Sequence, residues 1–287
     1  MRTRATMAAL AAVLILAGTA AAGARPHAGR HHHKRAAARR HRRHRPNAPR
    51  RIVPAHKNEP LPRHGGTADS LNWSGYVVTP RGGGITAVSS TFMVPAAGPA
   101  PPGLAATWTG IGGYDSSDLI QAGTAEQSTP SNPLLGHQYY AWYELLPAGE
   151  TQLTGCSPDA SCTVNPGDSI SVKITQVAAG AWSIAMSDSG HWSWSKTVSY
   201  SSSQSSAEWI LEAPTLITQT PLAPVGTVHF GPTSQYTVGG VAHTIAEGDP
   251  TQVFLSPGAV NEATPSALAA DGQSFDDCAY AQSCAAP

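Results

Sequence analysis

Basic side chains are nearly missing from most of this chain. After residue 66 only Arg81, Lys173 and Lys196 occur, against 17 Asp and Glu, so residues 67–287 carry a formal charge of 3 − 17 = −14. Phosphate would repel a body of that sign, which argues against a nucleic-acid-binding role. Charged residues make up 13 % of the chain and aromatic residues 7 %. Glu, Lys and Leu are scarce beside Ser, Thr, Gly and Val, which excludes long helical and coiled-coil architectures. The single long apolar run lies at the extreme N-terminus, so a multi-pass membrane protein is excluded. Neither the zinc-protease signature H-E-x-x-H nor the nucleophile elbow G-x-S-x-G is present. The four His of the body (His137, His191, His229 and His243) form no local triad signature.

The overall net charge of zero hides a strongly divided chain. Fifteen of the 18 Lys and Arg and eight of the 12 His fall in residues 1–66, where Glu59 is the one acid. Residues 1–24 read as a secretory signal: Arg2 and Arg4 form a positive start, Met7 to Gly18 is apolar, and Ala22-Gly23-Ala24 supplies small residues for cleavage. The apolar stretch is too short, and too rich in Ala and Gly, for a membrane anchor. Residues 25–66 are of low complexity, and like charges, Pro and the lack of apolar residues predict disorder when alone. Three readings compete for this segment: a pro-region masking the acidic body, a basic arm for anionic polymers, and a metal-binding His tract. The His tract is the weakest, since HHH beside KR lacks an ordered ligand geometry.

From Thr67 onward, short alternating runs are punctuated by Gly, Pro and Ser. Trp73–Val78, Ile85–Val94 and Ile170–Ile174 read as strands, and Trp182–Met186 and Trp192–Trp194 read as a hairpin turning at Asp188-Ser189-Gly190. No segment keeps a helical apolar period for three turns. The pattern predicts one all-β domain over residues 67–287, a sandwich of antiparallel sheets. Hydrophobic residues, 41 % of the chain, suffice for one sizeable core. All four Cys lie in this body, as Cys156…Cys162 and Cys278…Cys284. In a secreted chain an even count suggests disulfides, and two local bridges are the simplest of three connectivities. Neither pair has the two-residue spacing of a zinc knuckle.

Asp188-Ser189-Gly190 has the form of an aspartic-protease site, but such an enzyme needs two carboxylates sharing a proton, hence two copies or a dimer, and the sequence has no second copy. A turn is the better reading. More informative is Ala207-Glu208-Trp209-Ile210-Leu211-Glu212. With period two, Glu208, Ile210 and Glu212 share one face, and ~13 Å separates the two carboxylates along the strand. That is too far for a glycosidase pair on this strand alone, so a working Glu must find its partner on another strand. Leu119-Ile120-Gln121-Ala122-Gly123 and Tyr140-Ala141-Trp142-Tyr143-Glu144 place polar residues inside otherwise apolar strands. Each alone reads equally as the outer face of an ordinary strand.

Taken in order, Asn72-Trp73-Ser74-Gly75, Trp108-Thr109-Gly110-Ile111-Gly112-Gly113, Leu119–Gly123, Ala141-Trp142-Tyr143-Glu144 and Ala207–Glu212 resemble the motifs of the glutamic peptidases, the eqolisin or G1 family. Val225–Phe230 fits the following strand. The resemblance implies a concanavalin-like sandwich of two packed antiparallel sheets with a concave substrate cleft. It also implies pepstatin-insensitive acid endopeptidase activity on polypeptides by a Gln121/Glu212 dyad that activates water. Trp73, Trp108, Trp142 and Glu144 match cleft residues. Two departures stand out: Gly112 and Ala125 occupy places where many relatives carry an acid, and Glu126 follows one place on.

The chemistry is coherent. Amide hydrolysis by water needs a base and an oxyanion donor, and a carboxylate is the common side-chain base still partly ionised near pH 3–4. The expectation is thus a secreted, extracellular, monomeric peptidase needing no metal or cofactor. Its partners are polypeptide substrates and its own basic pro-segment, with neither nucleic acid nor membrane once the signal is removed. The rival expectation is a concanavalin-like carbohydrate-binding protein without catalysis, in which the tryptophans would stack on sugars.

Overall fold

The computed structural model describes residues 64–128, 138–215 and 219–287. The signal sequence and all of the basic segment but its last three residues lie outside them. Among the described residues β-structure dominates, with a single 3-10 turn at Ala246–Gly248. No helix there is long and apolar enough to cross a membrane.

The strands in chain order begin with β1 (Thr67–Ser70), β2 (Trp73–Val78), β3 (Ile85–Met93), β4 (Gly103–Gly112), β5 (Leu119–Ser128) and β6 (Gln138–Leu145). Then come β7 (Thr151–Gln152), β8 (Ser157–Pro158), β9 (Ser169–Ala178), β10 (Ala181–Asp188), β11 (Trp192–Ser199) and β12 (Ala207–Glu212). The last are β13 (Thr227–Phe230), β14 (Gln235–Val238), β15 (Val241–Thr244), β16 (Thr251–Leu255), β17 (Ala263–Pro265) and β18 (Phe275–Ala279). The strand and hairpin expectations correspond to β2, β3, β9, β10 and β11.

Two layers emerge from the pairing. The first runs β1–β16–β2–β12–β4–β5–β6–β7; it is antiparallel except where β1 meets β16. The second runs β8–β11–β10–β9–β3, with β14–β15 and β13–β18 continuing beyond β3. β17 pairs with both β16 and β18, which joins the layers at one edge. This is the two-sheet all-β sandwich that the alternation predicted.

Alternation also decides what fills the space between layers. Ile111, Ile120, Ala122, Trp209 and Leu211 of the first layer pack in one buried cluster with Val88, Phe92, Ile170, Ile174 and Ile184 of the second. The Trp209 indole N–H donates across the gap to the Ser89 carbonyl at 2.9 Å, so even the largest core side chain keeps a partner. Removing these side chains from water is the main force holding the layers together. Both Cys pairs close locally, Cys156–Cys162 and Cys278–Cys284, with Cα separations of 5.3 and 5.6 Å.

Candidate active site

Strand register builds the site. On β12 the side chains of Glu208, Ile210 and Glu212 alternate away from the inter-layer core. Ile210 lies opposite Trp108 of β4, Trp108 opposite Gly123 of β5, and Gly123 opposite Trp142 of β6. One row further along, Gly110, Gln121 and Glu144 are opposite one another. Trp73, Val77, Ala106, Trp108, Ala125, Trp142 and Ile210 form a second buried cluster on this face. Gly123 is required here: a Cβ on it would sit 2.1 Å from the Thr107 carbonyl oxygen and 2.6 Å from the Trp108 Cβ. The glycine of Q-x-G thus lets β5 approach the β4 backbone this closely at Trp108.

Glu212 is 3 % exposed. Its Oε2 accepts the Trp108 indole N–H at 2.8 Å and its Oε1 accepts the Asn72 amide N–H at 3.1 Å. Trp73 packs edge-on against Trp108, with ring centroids 4.9 Å apart at 76°. Burial pushes the Glu212 carboxyl up to about 8; the two donors hold it down in part, and the nearby Glu144 charge raises it. Asn72 was not singled out in the sequence, although it opens the N-W-S-G motif. It is oriented locally: the Ser70 hydroxyl donates to Asn72 Oδ1 at 3.3 Å, which turns the amide nitrogen towards Glu212.

Gln121 is 2 % exposed. Its hydrogen bond is to Glu144, Nε2 donating to Oε2 at 2.6 Å, while its Oε1 is buried without a partner. Burial pushes the Glu144 carboxyl up to about 7, and the Gln121 contact opposes this in part. Gln121 and Glu212 therefore share one face, and the Glu144 that Gln121 holds is near enough for its charge to act on Glu212. The hydrogen-bond donors to Glu212 are Trp108 and Asn72, whereas the Gln121 amide is directed at Glu144.

Glu208 stands apart. It is fully buried, neither carboxyl oxygen makes a hydrogen bond, and burial raises it well above the usual range. It is opposite Gly110, but Trp108 Cζ3 and Leu119 Cδ1 fill the space where a Gly110 Cβ would be, at 2.9 and 3.0 Å. That packing lies on the path from Glu208 to Gln121.

The two departures have structural reasons. Gly112 has φ +86, and a Cβ there would meet the Asp118 carbonyl at 2.6 Å and its Oδ2 at 3.0 Å. The Asp118 carboxyl therefore reaches the space beside position 112 from the following strand's edge. Ala125 lies in the apolar part of the site face, whereas Glu126 points to the opposite side, into the inter-layer core. There it accepts the Thr124 hydroxyl at 2.6 Å and is raised well above the usual range by burial. It cannot substitute for a cleft acid at 125.

A groove of about 670 Å³ crosses the outer face of the second layer, lined by Ser89, Thr91, Ser171, Lys173, Ser193 and Trp194 among others. Its lining offers no carboxylate to activate water.

Residues 71–263 match the Peptidase A4 family. No curated protein sequence matches the chain. Among solved structures, scytalido-glutamic peptidase with a transition-state analogue inhibitor is similar at a TM-score of 0.61 and 21 % identity, over 73 % of this chain and 98 % of that one. SCP-B, a member of the eqolisin family in complex with the tripeptide Ala-Ile-His, is similar at 0.55 and 19 %, over 73 % and 98 %. Aspergilloglutamic peptidase from Aspergillus niger follows at 0.50 and 22 %, over 62 % and 99 %. The family match spans 263 − 70 = 193 of 287 residues, and the chain belongs to the Peptidase A4 family, the glutamic peptidases.

Proposed function

We propose that this chain is a secreted endopeptidase that works in acid, activating water with Glu212 and Gln121 and forming no covalent intermediate. The observation carrying this reading is one buried carboxyl, held by Trp108 and Asn72, on the same sheet face as a buried Gln whose amide is clamped by a second carboxyl.

Ionised Glu212 takes a proton from water as the oxygen adds to the scissile carbonyl carbon. The developing oxyanion accepts an N–H from Gln121. Neutral Glu212 then gives its proton to the leaving nitrogen as the C–N bond breaks, releasing a carboxylic acid and an amine. Glu144 orients the Gln121 amide. The two ends of an amide are interchangeable in shape, and a neutral Glu144 is a donor. With the amide turned over, the Glu144 hydroxyl donates to Oε1, which gives the orphaned acceptor a partner and frees both N–H groups of Nε2. This arrangement requires neutral Glu144, so it is present below about pH 7 and is lost as Glu144 ionises above it.

The resting Glu212 is neutral in acid, in contrast to the partly ionised carboxylate expected from ordinary values. Water and the Gln121 N–H, once against the carboxylate, supply donors that favour its charged form and bring its pKa down towards the working pH. A carbohydrate-binding role for this face is disfavoured, because Trp73 and Trp108 are fully buried and Trp142 is 3 % exposed, leaving none of the three an open ring face for a sugar.

The basic residues 25–66 are read as a removable pro-region attracted to the acidic body. The attraction is present above the carboxylates' pKa values and fades as pH falls through them or as salt rises. The deciding experiment is a casein or peptide digest from pH 2 to 7 with a pepstatin-type inhibitor present. Inhibitor-resistant hydrolysis that vanishes in Glu212→Gln supports the reading, and full activity in that variant ends it.

A further inference from the structure

The Asp188-Ser189-Gly190 turn, read from the sequence as a hairpin, brings together three side chains able to ligate a metal, in the layer that does not carry Gln121 and Glu212. Asp188 ends β10, His191 follows the turn, and Asp168 immediately precedes β9, which pairs with β10. Ligand atoms from all three lie within 4.8 Å of one another. His191 Nδ1 is 2.7 Å from Asp188 Oδ2 and 4.0 Å from Asp168 Oδ1.

We propose that Asp168, Asp188 and His191 form a divalent-cation site of the zinc class. The placement of Asp188 is the first argument. It continues the inward row of Trp182, Ile184 and Met186, and its side chain is 1 % exposed. An acid there must be compensated, and one His nitrogen satisfies only Oδ2; Oδ1 is buried with no hydrogen-bond partner. The second argument is the neighbouring carboxylate. Asp168 Oδ2 is used by the Asn165 backbone and side-chain N–H groups at 2.6 and 3.3 Å, which leaves Oδ1 on the His191 side. When both carboxylates are ionised, one imidazole leaves a negative charge uncompensated even when it is protonated. A cation neutralises it.

Geometry favours a small ion with nitrogen and oxygen ligands. Zinc bonds of about 2.0–2.2 Å allow donor atoms up to ~4 Å apart, so the cluster closes on an ion with movements under about an ångström. His191 is 61 % exposed at the side chain, which leaves the remaining coordination positions to water. Imidazole with carboxylates suits zinc better than the all-oxygen shells of calcium or magnesium. Bound metal would tie the β10–β11 hairpin to the start of β9. Protons compete for the same ligands, so the site fills at neutral pH and empties in acid.

The test is thermal unfolding of the full chain at pH 7 with and without Zn²⁺. The His-rich residues 25–66 also offer ligands, so variants sharing that segment are compared. At zinc about 100-fold above its Kd, the wild-type Tm should rise by about 5 °C or more. His191→Ala and Asp168→Asn should lose that rise. His191 is largely exposed, so its variant keeps a folded reference even where Asp188→Asn does not fold. No zinc-dependent rise in the wild type, or an equal rise in His191→Ala, overturns the proposal.

Discussion

Raising the pH should unfold this protein from within. Glu126, Glu208 and Asp277 are fully buried; Glu126 and Asp277 each accept one hydroxyl, from Thr124 and Ser74, and Glu208 makes no hydrogen bond. All three are raised well above the usual carboxylate range by burial. Glu212 and Glu144 are buried on the site face and pushed up to about 8 and about 7. The sign is the reverse of the common carboxylate case. Well below their unfolded values, 4.5 for the Glu residues and 3.8 for Asp277, these groups are protonated in both folded and unfolded chains and cost nothing. As pH rises past 4.5 the unfolded chain releases their protons while the folded one retains them, so unfolding becomes more favourable up to the folded value.

Glu212 alone sets a scale. From 4.5 to 8 is 3.5 pH units, or roughly 5 kcal/mol of stability lost by pH 8 and about 3 kcal/mol by pH 7. For a domain of this size that is a Tm decrease on the order of 10 °C between pH 4 and 7. Glu144 adds to it less than additively, because the two charges repel each other. Exposed Asp159, Glu247 and Asp271 have lowered values and act in the opposite direction, but solvent screens them and their share is small. The assay is calorimetry at fixed salt between pH 3.5 and 8. Glu208→Gln, which removes one buried charge without touching the dyad, should flatten the decline. A Tm that is level or rising from pH 4 to 7.5 would refute the reasoning.

Other outcomes follow from the same contacts. Glu212→Gln should abolish hydrolysis while circular dichroism stays that of the wild type, and Gln121→Ala should cost on the order of 10²–10³ in kcat. Glu208→Gln should keep most activity in the same peptide assay. Asn72→Ala removes the donor to Glu212 Oε1, so the acid limb of the kcat/KM profile should move to higher pH; an unmoved limb would show that Asn72 is not a partner of the working carboxylate. Secreted protein sequenced from its N-terminus should begin after residue 66, and adding peptide 25–66 back should inhibit at neutral pH and low salt but not in 1 M salt. Inhibition unaffected by salt would rule out the charge mechanism.

How far the sequence reaches can be seen at single positions. Period-two alternation was enough to place Glu208, Ile210 and Glu212 on one face and Trp209 and Leu211 on the other, because strand geometry fixes side-chain direction locally. The same rule, applied to β5, separates Ala125 from Glu126 and explains why an acid displaced by one residue leaves the cleft for the core. Distance between strands is not local, and there the residues fall silent. Nothing in Ser70 or Asn72 announces that they orient a carboxyl 140 residues away. Nothing in Gly110 shows that the Trp108 ring and a Leu119 methyl will close over it, on the strand face that carries both Glu208 and Glu212. The His191 turn was legible as a turn; its second carboxylate, Asp168, joins it only when β9 pairs with β10. Motif order compensates for part of this, since Q-x-G and A-E-W-I-L-E each encode a strand whose register with its neighbours is fixed by the glycines it contains or faces. Gly123 is the clearest case: replacing its hydrogen by a methyl would drive Cβ to 2.1 Å from the Thr107 carbonyl, so Gly123→Ala should lose both the dyad and the sheet. A folded, active Gly123→Ala protein would mean that register, and with it the placement of Gln121, is set elsewhere.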